Sequence, residues 1–155
     1  MRPGRREFVK LSGVFATLAA IGLLGEDEAR AQQLAWNKAA FETKNLADTI
    51  KALGGSGVAE SKDIAMTVPD IAENGAVVPV AVASAIPGTQ TIYILVEKNP
   101  NMLAAAFTLP PGTEPGIATR VKMAQTSNVV AVVKANNQFF VASKEVKVTL
   151  GGCGG

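Results

Sequence analysis

The chain has 155 residues, with 15 Lys/Arg against 13 Asp/Glu for a net charge of +2, no histidine and one cysteine. The lack of histidine removes the commonest general base and the commonest metal ligand, and a lone cysteine leaves no intrachain disulfide, structural zinc site or haem attachment motif. Walker and dinucleotide-binding glycine motifs are missing and the carboxylates are scattered singly, so the expectation is a protein with no active site, metal or cofactor of its own.

Residues 1–31 read as an export signal that is removed. A basic start (Arg2, Arg5, Arg6, Lys10) precedes an apolar run over residues 14–24, and Ala29-Arg30-Ala31 follows as a small-residue cleavage pattern. Cleavage after Ala31 is expected, leaving a chain that begins at Gln32. The apolar run is shorter than the roughly 20 residues of a membrane span. Arg5-Arg6-Glu7-Phe8-Val9-Lys10 resembles the twin-arginine signal, which exports proteins already folded. The implied destination is the periplasm of a Gram-negative bacterium. From Gln32 onward ten Lys/Arg face nine Asp/Glu, and no basic stripe of the kind nucleic-acid binding needs is present. About 124 residues remain, enough for one domain with its own core.

Residues 32–57 are expected to form a helix and a linker. Trp36, Ala39/Ala40, Thr43, Leu46/Ala47, Ile50 and Leu53 recur at three- and four-residue steps, which predicts a helix over 36–53 with one apolar packing face. Gly54-Gly55 ends it as a C-terminal cap, and Gly54-Gly55-Ser56-Gly57 reads as the linker. Over residues 58–150 the pattern turns to β. Strands are expected at 64–68, 76–85, 91–96, 103–109, 117–123, 129–134 and 139–150. Between them lie turn signals at Pro69-Asp70, Glu73-Asn74-Gly75, Ile86-Pro87-Gly88, Lys98-Asn99-Pro100-Asn101, Pro110-Pro111-Gly112 and Asn136-Asn137. Short strands at spacings of about 8–12 residues indicate a β-sandwich. Pro79 within a strand points to an edge or a bulge.

The sequence closes on Gly151-Gly152-Cys153-Gly154-Gly155. Glycine resists any one backbone conformation, so residues 151–155 read as a mobile arm with one thiol. Three extended residues reach about 10 Å and five about 17 Å. A free thiol has a pKa near 8.5, so only a small fraction is thiolate at neutral pH. Its neighbours are glycines and a terminal carboxylate, which disfavours thiolate. Activation is therefore expected from a partner, and the arm suits covalent carriage. In an oxidising compartment the hazard is a disulfide-linked dimer through Cys153. Competing readings are a frayed end without a role, an exported structural sandwich stapled by an intermolecular Cys153 disulfide, and a ubiquitin-like carrier acting through its terminal Gly-Gly. The last needs cytoplasmic adenylation, at odds with an export signal. Prenylation needs three residues after the cysteine, and two follow.

A helix, a body of seven strands and a terminal GGCGG after a twin-arginine signal resemble the SoxY family of bacterial thiosulfate oxidation. Residues 72–80 (AENGAVVPV), 96–101 (VEKNPN) and 120–124 (RVKMA) are also similar to that family. The resemblance implies a mainly β, immunoglobulin-like antiparallel β-sandwich that pairs with a second small sandwich protein, SoxZ, as a heterodimer. It implies that Cys153 bears the sulfur intermediates, a thiosulfonate and a persulfide. It implies transient docking to three enzymes: SoxAX, which couples thiosulfate to the thiol; SoxB, which releases sulfate; and SoxCD, which oxidises the remaining sulfane sulfur. Elsewhere, Lys98 and Lys122 are candidates for docking anionic intermediates or partners, with solvated surface lysine as the plainer reading. Met123, Phe139 and Phe140 read as core or partner-interface residues.

Overall fold

Residues 37–150 are described by a computed structural model. The expected export signal with Arg5, Arg6 and the Ala31 cleavage site, Trp36, and the arm residues Gly151, Gly152, Cys153, Gly154 and Gly155 lie outside the described residues.

Two short helices, α1 (Lys38–Phe41) and α2 (Leu46–Ala52), stand where one helix over 36–53 is expected. Two capturing bonds explain the break. The Thr43 carbonyl accepts the Met102 N–H at 3.0 Å from a distant loop. Asn45 adopts extended backbone (φ −145°, ψ 159°), and its side chain accepts the Asp48 N–H at 2.9 Å as the N-cap of α2. The apolar stripe continues across the break because both helices lie on the same sheet. Gly54, at φ +85°, ends α2 as expected. Its N–H bonds the Lys51 carbonyl at 2.9 Å and the Gly55 N–H bonds Ile50 at 2.8 Å, the two bonds of a Schellman cap.

Nine strands follow among the described residues: β1 (Ala59–Glu60), β2 (Ile64–Thr67), β3 (Ile71–Ala72), β4 (Val78–Ser84), β5 (Thr89–Val96), β6 (Leu103–Thr108), β7 (Gly116–Val121), β8 (Ser127–Ala135) and β9 (Gln138–Val148). The larger sheet has the order β1-β9-β8-β5-β6, with β3 also on β9; the smaller is β2-β4-β7. The chain changes sheet at every step from β1 to β5, then between β6 and β7 and between β7 and β8, in an immunoglobulin-like sandwich. Seven strands match those expected. The two extra ones, β1 and β3, are too short to leave a periodic signal, and both run parallel to β9. The sandwich is otherwise antiparallel.

Between the sheets, Ile92, Ile94, Val96, Val129, Ala131 and Val133 pack against Val78, Val80, Val82 and Val121. On the opposite face of the larger sheet, Tyr93, Leu95, Val130, Val132 and Phe139 are covered by Ala40 and Ile50 of the helices. Strands β5 and β8 are thus buried on both faces and read as nearly unbroken apolar runs. Strand β4 alternates buried and exposed positions because its outer face is open. Burial pushes the Tyr93 phenol above its ordinary value of 10.0, while a hydrogen bond with Thr91 pulls the other way.

The expectation for Pro79 is met only in part: β4 is the central strand of its sheet, not an edge. However, β2 pairs only with Ala81 to Ser84, so at Pro79 the strand has β7 alone as a neighbour, opposite Arg120. The ladder is one-sided there, which tolerates a residue with no N–H.

Candidate functional site

The described chain ends where the expected arm begins, so the site that can be built is the arm's root. Strand β9 pairs with β8 up to Val146, opposite Ser127. Past that point the segment 70–75 takes hold on the other side. The Lys147 N–H donates to the Asp70 carbonyl at 3.0 Å and the Thr149 N–H to Ala72 at 3.1 Å. The Thr149 hydroxyl donates to Glu73 at 3.1 Å, and the Gly75 N–H donates to the Leu150 carbonyl at 2.7 Å. From the β8 side, the Thr126 hydroxyl accepts the Val148 N–H at 2.9 Å. Each residue from Lys147 to Leu150 is therefore held. Gly151 is the first residue beyond the last of these bonds, and Cys153 lies three residues past Leu150.

The holding segment is itself tied down. Its Asn74 side chain accepts the Ala76 N–H at 2.8 Å to fix a tight turn. The Gly75 carbonyl accepts the Met123 N–H at 2.7 Å, and Met123 is fully buried between the sheets. Lys144 reaches Asp70 at 3.0 Å and the Val68 carbonyl at 3.3 Å, an exposed ion pair worth at most about 1 kcal/mol. The Asn99 side chain bridges to the Lys122 carbonyl at 2.7 Å and the Ala124 N–H at 3.0 Å. The Ser127 hydroxyl accepts the Lys98 N–H at 3.0 Å. The three sequence segments singled out above, around Gly75, Asn99 and Met123, thus converge on this end of the sandwich.

Lys98 and Lys122 both lie at this end, exposed, with no ion pair among the described residues. Phe139 is buried against the helices and Phe140 packs partly buried against the inter-sheet core, so with Met123 these side chains serve packing. Among the described residues no group of three or more His, Cys, Asp or Glu is placed to hold a metal ion. No helix there is long and apolar enough to cross a membrane. A groove of about 440 Å³ on the smaller sheet is lined by residues that include Thr67, Pro79, Ala81 and Ala118, and Arg120 is its one charged side chain. What the arrangement supplies is a fixed base for a tethered group.

Sequence reasoning misses Thr126, Thr149 and Gly75 as holding residues. Their signal is faint: hydroxyl residues flanking strand ends and a glycine inside an expected turn, all acting over long sequence separations.

Comparison with known proteins gives three findings. The family model for the sulfur oxidation protein SoxY matches residues 50–153. A solved structure, the sulfur carrier protein SoxY from Chlorobium limicola f thiosulfatophilum, is 40% identical over 66% of this chain and 96% of that chain, with a TM-score of 0.59. The human F-spondin reeler domain (fragment 1) is 11% identical over 60% of this chain and 94% of that one, with a TM-score of 0.44, too low for any inference. Comparison with curated proteins gives no match. The family match takes in the whole sandwich, the root of the arm and Cys153 itself, and on that extent the chain belongs to the SoxY family of sulfur oxidation proteins.

Proposed function

We propose that this chain is a periplasmic sulfur carrier, exported folded by the twin-arginine route, that bears thiosulfate-derived intermediates on Cys153 and catalyses no step itself. The observation that carries this reading is the root: β9 is held through Leu150, and the family match runs on to a cysteine three residues later. A group on Cys153 starts from a fixed base and has about 10 Å of backbone to travel. The SoxZ heterodimer and the arm formed by Gly151, Gly152, Gly154 and Gly155 belong to the same reading.

The chemistry balances with partners as catalysts. Oxidative coupling by a SoxAX-type enzyme joins the Cys153 thiol to thiosulfate through a new S–S bond. One proton and two electrons leave, and a cysteine S-thiosulfonate remains. Hydrolysis by a SoxB-type enzyme breaks the S–S bond to the sulfonate, with water supplying the fourth oxygen of sulfate. Cys153 then holds a persulfide, and a proton is released. A SoxCD-type enzyme takes six electrons from that sulfane sulfur while three waters supply oxygen and seven protons leave, giving a cysteine S-sulfonate for a further hydrolysis. No charged side chain stands beside Cys153 in the sequence, so in this reading each partner site supplies the activation.

The test is Cys153→Ser. Intact-mass spectra of the mature chain, treated with thiosulfate and the coupling enzyme, are expected to show adducts on the wild type and none on the variant. Adducts persisting on the variant overturn the assignment.

A further inference from the structure

Asn74-Gly75 is the one Asn-Gly pair in the sequence. Such a pair carries chemistry of its own. The backbone nitrogen of a residue with no Cβ is unhindered, and it can attack the side-chain amide carbon of the asparagine before it. Asn74 is exposed, whereas Gly75 is buried. The Gly75 N–H donates to the Leu150 carbonyl at 2.7 Å, and the Gly75 carbonyl accepts the Met123 N–H, also at 2.7 Å. The Asn74 side-chain oxygen in turn accepts the Ala76 N–H at 2.8 Å. Ring closure takes the Gly75 N–H proton and turns the backbone at this point, so the bond to Leu150 must open first. We infer that Asn74 is a deamidation site that the arm's root holds shut, and that release of Leu150 opens it.

The step balances without an oxidant or a reductant. The Gly75 nitrogen bonds to the Asn74 side-chain carbonyl carbon, and its proton leaves with the amide as ammonia, closing a succinimide. One water then opens the ring. Cleavage between the nitrogen and the side-chain carbon leaves aspartate. Cleavage on the backbone side leaves isoaspartate, with the chain routed through Cβ and one carbon longer. Either product places a new carboxylate next to Glu73. The longer backbone also shifts Gly75 against Leu150 and Met123, the two residues it links. A root that stays open long enough to react therefore cannot close in its old register. The opening required is local, since only the bonds between residues 70–75 and 147–150 need to part. The inference stands on the geometry of the root and is independent of what Cys153 carries.

The experiment incubates the full mature chain in mildly alkaline buffer and follows conversion of Asn74 by peptide mass mapping, with amide exchange at Gly75 read in parallel. The same chain unfolded in urea supplies the unrestrained rate, and the native chain is expected to convert at least about tenfold more slowly. Thr149→Val removes the hydroxyl bond to Glu73 and should quicken conversion about threefold. Thr149→Pro also removes the N–H held by Ala72 and should quicken it about tenfold. Gly75 exchange should rise by the same factors. Gly88→Ala, at the other end of the sandwich, strains a positive φ without touching the root and should leave both rates unchanged. Melting temperatures for every variant separate an opened root from an unfolded chain, and Thr149→Val carries the test if Thr149→Pro does not fold. Native conversion as fast as in urea, unchanged conversion in the Thr149 variants, an equal rise in Gly88→Ala, or faster Gly75 exchange without faster conversion each overturns the inference.

Discussion

At the end of the sandwich that carries Pro87, Pro110 and Asn136, the loops are held mainly from within. The Ile86 N–H reaches the Ser84 hydroxyl, the Thr89 hydroxyl reaches the Ile86 carbonyl and the Thr113 N–H reaches Pro110, with the Asn136 side chain bonded across to Pro87. At the end from which Gly151 departs, the partners are far apart in sequence: Gly75 with Leu150, Thr149 with Glu73, Asn99 with Lys122, and Thr126 with Val148. Locally closed turns need only their own residues to fold. The arm's root exists only once four separate segments have come together. Its position is therefore a product of the finished sandwich, and it is as rigid as the tertiary structure that makes it.

Asn99→Ala tests this contrast most severely. It removes both Asn99 bonds at the root, which at about 1 kcal/mol each predicts a loss of about 2 kcal/mol in denaturant unfolding. Amide exchange should quicken at Met123 and Gly75 together, since the Met123 N–H donates to the Gly75 carbonyl and the Gly75 N–H to Leu150; faster exchange confined to residues 98–101 would break the comparison. Gly88→Ala at the other end should cost less, about 1 kcal/mol, through the φ of +74° and a new Cβ about 2.6 Å from the Asn136 side chain. Its exchange changes should stay within residues 84–90 and 135–138, and any spread to the root would argue against separate ends. The smallest effect belongs to Tyr93, which lies between the ends under the helices. Its phenol is raised above 10.0 by burial, so its contribution to stability is present below pH 10 and falls as pH climbs through the folded value. In Tyr93→Phe, thermal melts across this alkaline range should fall less steeply with pH than those of the wild type, with parallel curves near neutrality.

The same contrast governs how much could be read from the chain. Turns built from local chemistry were legible: Ile86-Pro87-Gly88, Pro110-Pro111-Gly112 and Asn136-Asn137, the last with both residues at positive φ in a two-residue hairpin. Strands β5 and β8 were legible as apolar runs, because burial on both faces demands them. The helix break at Thr43 was not, since the bond that makes it comes from Met102 and the apolar spacing carries on regardless. Asn45-Leu46-Ala47-Asp48 did offer a local clue, an N-cap residue with an acid in the first turn. Strands β1 and β3 are two residues each and exist only by pairing with β9. At the site, GGCGG was plain in the sequence, while the residues that fix where it starts were hidden in long-range pairings.

Strand β9 lies between neighbours, with β8 on one side and β1 and β3 on the other, and it continues past Val146 toward Leu150 under the bonds of residues 70–75. This placement has a mechanical meaning. A pull on the chain at Leu150, of the kind the proposed carrier role entails, loads β9 along its axis. The ladder bonds lie across that axis, so tension loads them together in shear and does not peel them off one at a time, as it would from a free edge. A pull on Leu150 is thus shared across the ladder before it opens the sandwich.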